Sequence, residues 1–341
     1  LGTVLFAIPI GQLLMMAFSG VLVSKFGSKK MILLAEVLYA FVLFCMGSSS
    51  TVFQLILSLV AFGMMANLMN IATNTQACLV EKMYGRNIMS SFHGLWSLGG
   101  FSGGIIGAVF ANTLLPIEAH FGAVLVMSLL IIAIGFRYLV DDATAKAEEE
   151  DVPKFSFKTI DPILFLLGLM GFAGMFCEGT VYDWSGVYFS SVVRPDEAFI
   201  RAGYVAGMGA MTLGRFMADG FVTKYGPARV LKVCGGLILA GLWMAAALPY
   251  LIPATLGFLL VGFGISSSVP ICYSIAGKLG TIKASIAITI VSSISFFGFL
   301  VGPPVIGWLA EATGLRIAIS IAACLGLMIA FVAAKVGKRL S

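Results

Sequence analysis

The sequence predicts an all-α membrane protein whose helices form two similar bundles, and three observations predict this fold class. Sixty per cent of its 341 residues are hydrophobic and only 11% are charged, whereas about a quarter of the residues in a soluble domain are charged. The apolar residues occur in long stretches that suit bilayer-spanning helices. The chain also resembles itself at an offset of 199 residues.

Eleven apolar stretches, separated by charged or turn-forming clusters, predict eleven transmembrane helices. Each is about as long as a helix that crosses the hydrocarbon core. They lie near residues 1–23, 31–48, 51–79, 88–113, 120–140, 161–190, 197–223, 229–249, 252–277, 284–310 and 314–336. The six cysteines are scattered through these stretches without metal-ligand spacing. We therefore expect no disulfide, no metal and no cofactor, and the absence of hydrolase and phosphate-loop motifs argues against an enzyme.

The lysines and arginines are distributed unequally between alternate loops. Of the 21 basic residues, seventeen lie on one side, Arg194, Arg201 and Arg316 lie on the other, and Arg215 lies within a span. The positive-inside rule places the basic side, and with it the C-terminus, in the cytoplasm. The formal charge of +5 is therefore a signal of topology, and no nucleic-acid partner is expected.

The internal repeat divides the chain into two halves that run in the same direction. At the offset of 199, residues 24–27 (Ser-Lys-Phe-Gly) fall on residues 223–226 (Thr-Lys-Tyr-Gly), while Gly63, Gly99 and Gly103 fall on Gly262, Gly298 and Gly302. Such parallel repeats are related by an axis along the membrane normal. We expect an N-terminal bundle over 1–140, a charged cytoplasmic linker over 141–160, and a C-terminal bundle over 161–341. The span at 161–190 has no counterpart in the first half, so a further helix is expected upstream of Leu1.

Residues 20–30 carry a motif that repeats in altered form in the second half. Gly20, Lys25 and Gly27, followed by two lysines, resemble the Gly-x-x-x-Asp-Arg/Lys-x-Gly-x-Arg/Lys-Arg/Lys loop of major facilitator superfamily transporters. Ser24 stands where that loop has its acid, so no acid-dependent gating contact is expected in the first half. The second half has Arg215 and Asp219, followed by Lys224 and Gly226, and looks like the matching loop with its acid shifted.

The resemblance implies the fold of that superfamily, two pseudo-symmetric helical bundles, with eleven of its usual twelve transmembrane helices in this sequence. Strings such as His93-Gly94 with Ser97-Leu98-Gly99, and residues 299–304 (Phe-Leu-Val-Gly-Pro-Pro), resemble the YbjJ-like bacterial branch. The family implies a monomeric secondary transporter of the bacterial inner membrane, surrounded by lipid, that carries a small-molecule substrate alone or with protons.

Three functions stay open at this point. The Gly-Pro signature of drug antiporters is absent from residues 94–111, which favours uptake of a sugar or another small polar solute. An efflux antiporter for drugs or metabolites is one alternative. The other is a membrane sensor or scaffold that keeps the fold without transport.

Ionisable side chains within the spans are the first candidates for the mechanism, because each costs at least about 2.5–3.5 kcal/mol at mid-bilayer. Counting along its helix places Glu178 in the outer part of the bilayer, as a proton acceptor or substrate anchor, with Asp183 nearer the outer surface. His93 suits a proton relay, and Trp96 lies on the same face of its helix. The alternative for Glu178 is a hydrogen bond to a neighbouring helix or a side chain that reaches outward to the lipid headgroups. The alternative for His93 is a neutral ring bonded to one backbone carbonyl.

Two further groups complete the predicted site. Asn67, Asn70 and Asn74 form one polar stripe, which either lines the transport path or makes hydrogen bonds between helices. Arg215 and Asp219 stand four residues apart on one helix, where they can neutralise each other. We expect them to belong to an inner-gate network of ion pairs, at the end of the span where the motif residues lie.

Overall fold

The computed structural model describes Val4, residues 6–111, Thr113, residues 115–141 and residues 160–340, and this part of the chain is helical without β-strands. Its α-helices are α1 (Ala7–Phe26), α2 (Ser28–Gly47), α3 (Val52–Tyr84), α4 (Met89–Ala111), α5 (Ile117–Gly135), α6 (Pro162–Tyr188), α7 (Ala202–Tyr225), α8 (Pro227–Ala247), α9 (Leu251–Ile265), α10 (Ser268–Lys278), α11 (Ala284–Thr313), α12 (Leu315–Ala322) and α13 (Cys324–Leu340). A π-helical turn, Phe189–Val193, extends α6.

Among the described residues, each of the eleven predicted spans contains helix, which confirms the fold class. The stretch at 252–277 consists of two consecutive helices, α9 and α10, and the stretch at 314–336 consists of α12 and α13. Within the described residues, nine helical segments are long and apolar enough to cross a membrane. Helices α4 and α7 fall outside these nine, and α7 is the helix that carries Arg215, Asp219 and Lys224.

The chain forms two compact units. The first comprises Leu1–Tyr84, Gly99–Ile160 and Gly277–Thr289, and the second comprises Gly85–Leu98, Asp161–Ala276 and Ile290–Ser341. The start of α4 thus belongs with the second half of the sequence, and the start of α11 belongs with the first half. The bundle boundaries at 140 and 161 stay a prediction. Apart from Asp141 and Ile160, the expected linker lies outside the described residues.

The repeat reappears as the same helix contact inside each unit. In the first unit α1 packs on α3, and a Cβ on Gly63 would collide with the backbone oxygen of Ile8. In the second unit α7 packs on α9, and a Cβ on Gly262 would collide with the backbone oxygen of Gly207. The two pairs are related by the offset of 199 found in the sequence. Glycine at these positions lets two helix backbones touch.

Glycine also closes the two motif loops. Gly27, between α1 and α2, has φ 91° and ψ 149°, and Gly226, between α7 and α8, has φ 79° and ψ 153°. This region of backbone space is almost restricted to glycine. Beside these turns Lys25 lies 5.3 Å from the centre of the Phe26 ring, and Lys224 lies 5.2 Å from that of Tyr225. The motif therefore forms the same short turn twice.

The second unit has a densely packed aromatic core. Tyr188, Phe189 and Phe258 are fully buried, and their rings pack on one another. The Tyr188 hydroxyl donates a 2.7 Å hydrogen bond to the carbonyl of Ala245 on α8. This core secures the C-terminal end of α6 against α8 and α9.

Candidate substrate and proton site

The centre of the candidate site is a buried carboxylate on α6. Glu178 is 8% exposed, and it lies at the middle of the helical span Pro162–Val193. The π-helical turn carries this span beyond Tyr188, and the expectation that Glu178 lies in the outer part of the bilayer stays a prediction. A buried carboxylate within an apolar span needs a partner or a function.

Arg215 on α7 is the ionic partner of this carboxylate. Its Nη2 lies 3.7 Å from Glu178 Oε1, and the side chains are 5% and 11% exposed, respectively. Its Nη1 donates a hydrogen bond to the hydroxyl of Ser97 on α4. The same hydroxyl donates a 3.1 Å hydrogen bond to the carbonyl of His93, one turn earlier. Three helices of the second unit thus meet at one guanidinium group.

The guanidinium is only partly satisfied by these partners. Its Nε–H is buried and has no hydrogen-bond partner among the described residues. The 3.7 Å separation from Glu178 is an ion pair but is too long for a hydrogen bond. Because more than nine in ten buried polar groups are normally paired, an incompletely paired guanidinium marks a place where another acceptor can bind.

Aromatic side chains surround the pair. The ring of Trp96 is centred 6.0 Å from the guanidinium carbon of Arg215, and Trp96 itself is 66% exposed. The His93 ring lies 5.9 Å from the ring of Tyr273 on α10. Trp96 thus lies beside the partner of Glu178, and the role of Trp96 and His93 in a transport path stays a prediction. Asp183, one turn beyond Glu178, is exposed.

Asp219 has a different role from the one its spacing suggested. Its carboxylate accepts hydrogen bonds from the backbone N–H groups of Ser90 at 3.0 Å and Ser91 at 2.8 Å, and from the Ser91 hydroxyl at 2.6 Å. These residues lie in the first turn of α4, so Asp219 caps that helix from a neighbouring one. Asp219 and Arg215 therefore have separate partners instead of the expected pairing with each other: Asp219 bonds to the start of α4, and Arg215 pairs with Glu178.

The equivalent position in the first unit contacts the start of a neighbouring helix without a charged side chain. Gly20 is the repeat counterpart of Asp219, and its carbonyl accepts a 3.1 Å hydrogen bond from the hydroxyl of Ser285 at the start of α11. A Cβ on Gly20 would collide with Thr289, the counterpart of Ser90. In both units the end of one helix therefore holds the start of another, through a carboxylate in one case and close backbone contact in the other.

The asparagine stripe lies in the first unit and is partly occupied by hydrogen bonds within it. Asn67 Oδ1 accepts a 2.7 Å hydrogen bond from Ser19 on α1. Asn74 is buried, and its Nδ2 donates a 2.8 Å hydrogen bond to the carbonyl of Asn70. Asn70 is exposed. Hydrogen bonding between helices accounts for Asn67, whereas Asn70 remains a candidate for the transport path.

Sequence reasoning missed three residues that the structure places at these sites. Ser97 and Tyr273 are ordinary serine and tyrosine residues in apolar runs, and no local spacing pointed to their contacts with Arg215 and His93. Lys278 is the third, because its Nζ lies 2.5 Å from Oε1 of the buried Glu81. All three contacts join residues far apart in the sequence.

Comparison with known proteins identifies the family to which the chain belongs. The model of the Major Facilitator Superfamily matches residues 1–282. The chain belongs to this superfamily. An uncharacterized MFS-type transporter of Yersinia pestis is 34% identical over 98% of this chain and 85% of its own length. The membrane protein MosC of Rhizobium meliloti is 29% identical over 97% of this chain and 80% of its own.

Solved structures give the same fold at low sequence identity. The transporter FucP superposes with a TM-score of 0.74, at 14% identity, over 98% of this chain and 89% of FucP. The human organic anion transporter MFSD10 gives 0.78, at 15% identity, over 97% and 83%. The proton:xylose symporter XylE gives 0.72, at 14% identity, over 96% and 84%. At these identities the likeness concerns the fold alone. This superfamily member is a multi-pass membrane transporter.

Proposed function

We propose that this transporter moves a small polar solute, such as a sugar, together with protons by alternating access, and that Glu178 carries the transported proton. The observation on which the proposal rests is the buried ion pair between Glu178 and Arg215 at the middle of α6. The related folds of FucP and XylE, a proton:xylose symporter, favour this chemistry without deciding it for this chain.

The physical argument concerns charge in an apolar medium. A carboxylate and a guanidinium, each about nine-tenths buried, stabilise each other only as long as both are charged and close. Protonation of Glu178 removes one charge and leaves Arg215 without a counter-ion. The pair therefore has two states of different charge, and a bound solute that favours one of them is coupled to the proton.

The gating network in this proposal consists of the two motif turns and the contacts beside them. Asp219 caps α4, while Gly20 holds the start of α11. Lys25 with Gly27, and Lys224 with Gly226, form the turns that position these contacts. Breaking them accompanies opening of the site toward the cytoplasm. In the second unit His93, Trp96 and Asp183 are the candidate path residues beside the ion pair, and in the first unit Asn70 is the candidate.

The proposal includes the topology and the setting. In this proposal the C-terminus faces the cytoplasm of a bacterial cell, and the protein is a monomer in the inner membrane. The seventeen basic residues on one side support the orientation. Reporter fusions after α5 and after α13 test the orientation. Both fusions are expected to report a cytoplasmic location, and a periplasmic location for either one would contradict the topology.

The test of function is solute uptake into proteoliposomes under an imposed pH gradient. The wild type is expected to accumulate its solute when the outside is acidic and to equilibrate it when the gradient is collapsed. Glu178→Gln keeps the shape of the protonated side chain but cannot release a proton. This variant should lose proton-driven accumulation and retain exchange of labelled for unlabelled solute, since exchange needs no proton release.

Glu311→Gln is the matched control, because Glu311 is an exposed acid on α11 of the same unit. It should accumulate solute as the wild type does. Full accumulation by Glu178→Gln would refute Glu178 as the proton carrier. A wild type that moves no solute under any gradient would instead favour the sensor or scaffold, and export driven by inward proton flow would favour the antiporter.

A further inference from the structure

We propose that the solute carries a carboxylate, as a sugar acid does, and that this carboxylate binds Arg215 in place of Glu178. The inference rests on the proposed function and narrows it to one substrate class. It comes from the bonding of the guanidinium, which is 4% exposed and yet has an Nε–H without a partner among the described residues.

The guanidinium has more donors than the protein around it uses. It carries five N–H bonds in a fixed planar fork. One of its nitrogens donates to Ser97, a second lies 3.7 Å from the Glu178 carboxylate, and the third is unpaired. A carboxylate can accept two parallel N–H bonds from such a fork at about 2.7–2.9 Å. The hydroxyl of a neutral sugar offers a single acceptor and leaves the charge unbalanced.

The loose contact with Glu178 makes an exchange of counter-ions possible. At 3.7 Å the two groups form an ion pair without the short hydrogen bonds that strengthen charged pairs. A proton that neutralises Glu178 leaves Arg215 as an uncompensated buried charge, which is strongly unfavourable. An incoming carboxylate removes that penalty. Protonation of Glu178 and binding of an anion therefore favour each other, which is the definition of coupling.

The charge balance also selects an anion over a neutral solute. The empty site contains one cation and one carboxylate and is neutral. With a proton on Glu178 and a substrate carboxylate on Arg215, the loaded site is neutral again. A neutral solute with the same proton would leave one net positive charge in the middle of the span, where charged groups are least tolerated. Proton and anion would thus cross together without net charge movement.

The remaining neighbours suit a hydroxylated chain attached to that carboxylate. The Trp96 ring lies beside the guanidinium and is largely exposed, so it offers an apolar face against which carbon–hydrogen groups can pack. The hydroxyl of Ser97 lies one turn after His93 on the same helix and contacts the guanidinium directly. This polar group beside the apolar Trp96 face is why we favour sugar acids over simple fatty acids.

The experiment measures ligand binding by thermal stabilisation of the purified full chain, with acids and their neutral partners in matched pairs. The probes are gluconate with glucose, galacturonate with galactose, glycerate with glycerol, and lactate with lactamide. At least one acid is expected to stabilise the wild type while its neutral partner does not. The effect should strengthen as the pH falls. In Glu178→Gln the same acid should bind equally well at all pH values tested.

Variants of Arg215 give the specific readout. Arg215→Lys keeps the charge but loses the fork, and the Kd for the acid should rise at least about tenfold. The double variant Glu178→Gln/Arg215→Gln removes both charges, so it leaves no buried ion that would prevent folding, and it should bind no acid. Arg201→Gln is the control, because Arg201 is an exposed arginine of the same unit.

Stabilisation by the neutral partners alone, or equal binding of the acid to the double variant, would overturn the substrate class. So would a panel in which no acid stabilises the wild type. Proton-driven uptake of a neutral sugar would refute this inference and leave the proposed function intact. Binding of an acid without any flux under a pH gradient would refute the proposed function and leave this inference intact.

Discussion

The cap that Asp219 places on α4 can be tested as a stability element, separately from transport. Its carboxylate accepts three hydrogen bonds, two of them from the backbone of the first turn of α4. Asp219→Ala leaves those N–H groups unpaired, and Ser90 is almost completely buried, at 1% exposure. Losing a helix cap costs about 0.5–2 kcal/mol, and hydrogen bonds to charged groups contribute about 1.5–3 kcal/mol.

These two contributions overlap, so we expect Asp219→Ala to lower the free energy of unfolding by about 2–4 kcal/mol. For a unit of this size the loss corresponds to a fall in Tm of about 5–10 °C. Asp219→Asn keeps one acceptor, but it turns an amino group toward the other N–H and removes the interaction of its charge with the helix dipole. Asp219→Asn should therefore lower the free energy of unfolding by about half as much.

The assay is thermal unfolding of the purified protein in detergent, followed by tryptophan fluorescence. Asp183→Asn is the matched control, because Asp183 is an exposed aspartate one helix away, on α6. It should melt within about 1 °C of the wild type. If both Asp219 variants also melt within about 1 °C of the wild type, the cap contributes nothing to stability. The proposed gating network then loses its main contact.

Three further predictions concern single contacts and use the same unfolding assay. Gly226→Ala should destabilise the protein by about 1–3 kcal/mol, because φ is 79° at this position. Gly220→Ala is the control, because a Cβ there meets open space on α7, and it should be neutral or stabilising. Lys278→Met should lower the free energy of unfolding by about 3–5 kcal/mol, because it removes the cation that pairs with the buried Glu81 carboxylate. Adding Glu81→Gln should restore most of the loss, and no restoration would contradict the pairing. Tyr188→Phe should cost about 1–3 kcal/mol by leaving a buried carbonyl without its donor, and an unchanged Tm would show that this bond is not needed.

The fold could be predicted from the sequence because its determinants are local. A helix that crosses lipid must be apolar over about 20 residues, and it satisfies its backbone hydrogen bonds within itself. The turns at Gly27 and Gly226 were visible as a matched loop, because only glycine adopts that backbone conformation readily. The offset of 199 then identified Gly63 and Gly262 as equivalent, and both occupy the same helix contact.

The partners within the site could not be predicted, because they depend on contacts between helices. The i, i+4 rule paired Arg215 with Asp219, but such a pair is worth only about 0.2–0.5 kcal/mol. A helix cap for Asp219 and a buried counter-ion for Arg215 are each worth more, so the side chains point to other helices. The same reasoning explains Glu81, whose partner Lys278 lies far along the chain.

Proton binding to Glu178 on solute binding is the central claim, and a pH-indicator measurement tests it most directly. Purified carrier in weakly buffered solution is mixed with a saturating solute identified by thermal stabilisation, and the change in free protons is recorded. The wild type should take up one proton per molecule of carrier, and Glu178→Gln should take up none. Equal proton uptake by the two proteins would contradict the account.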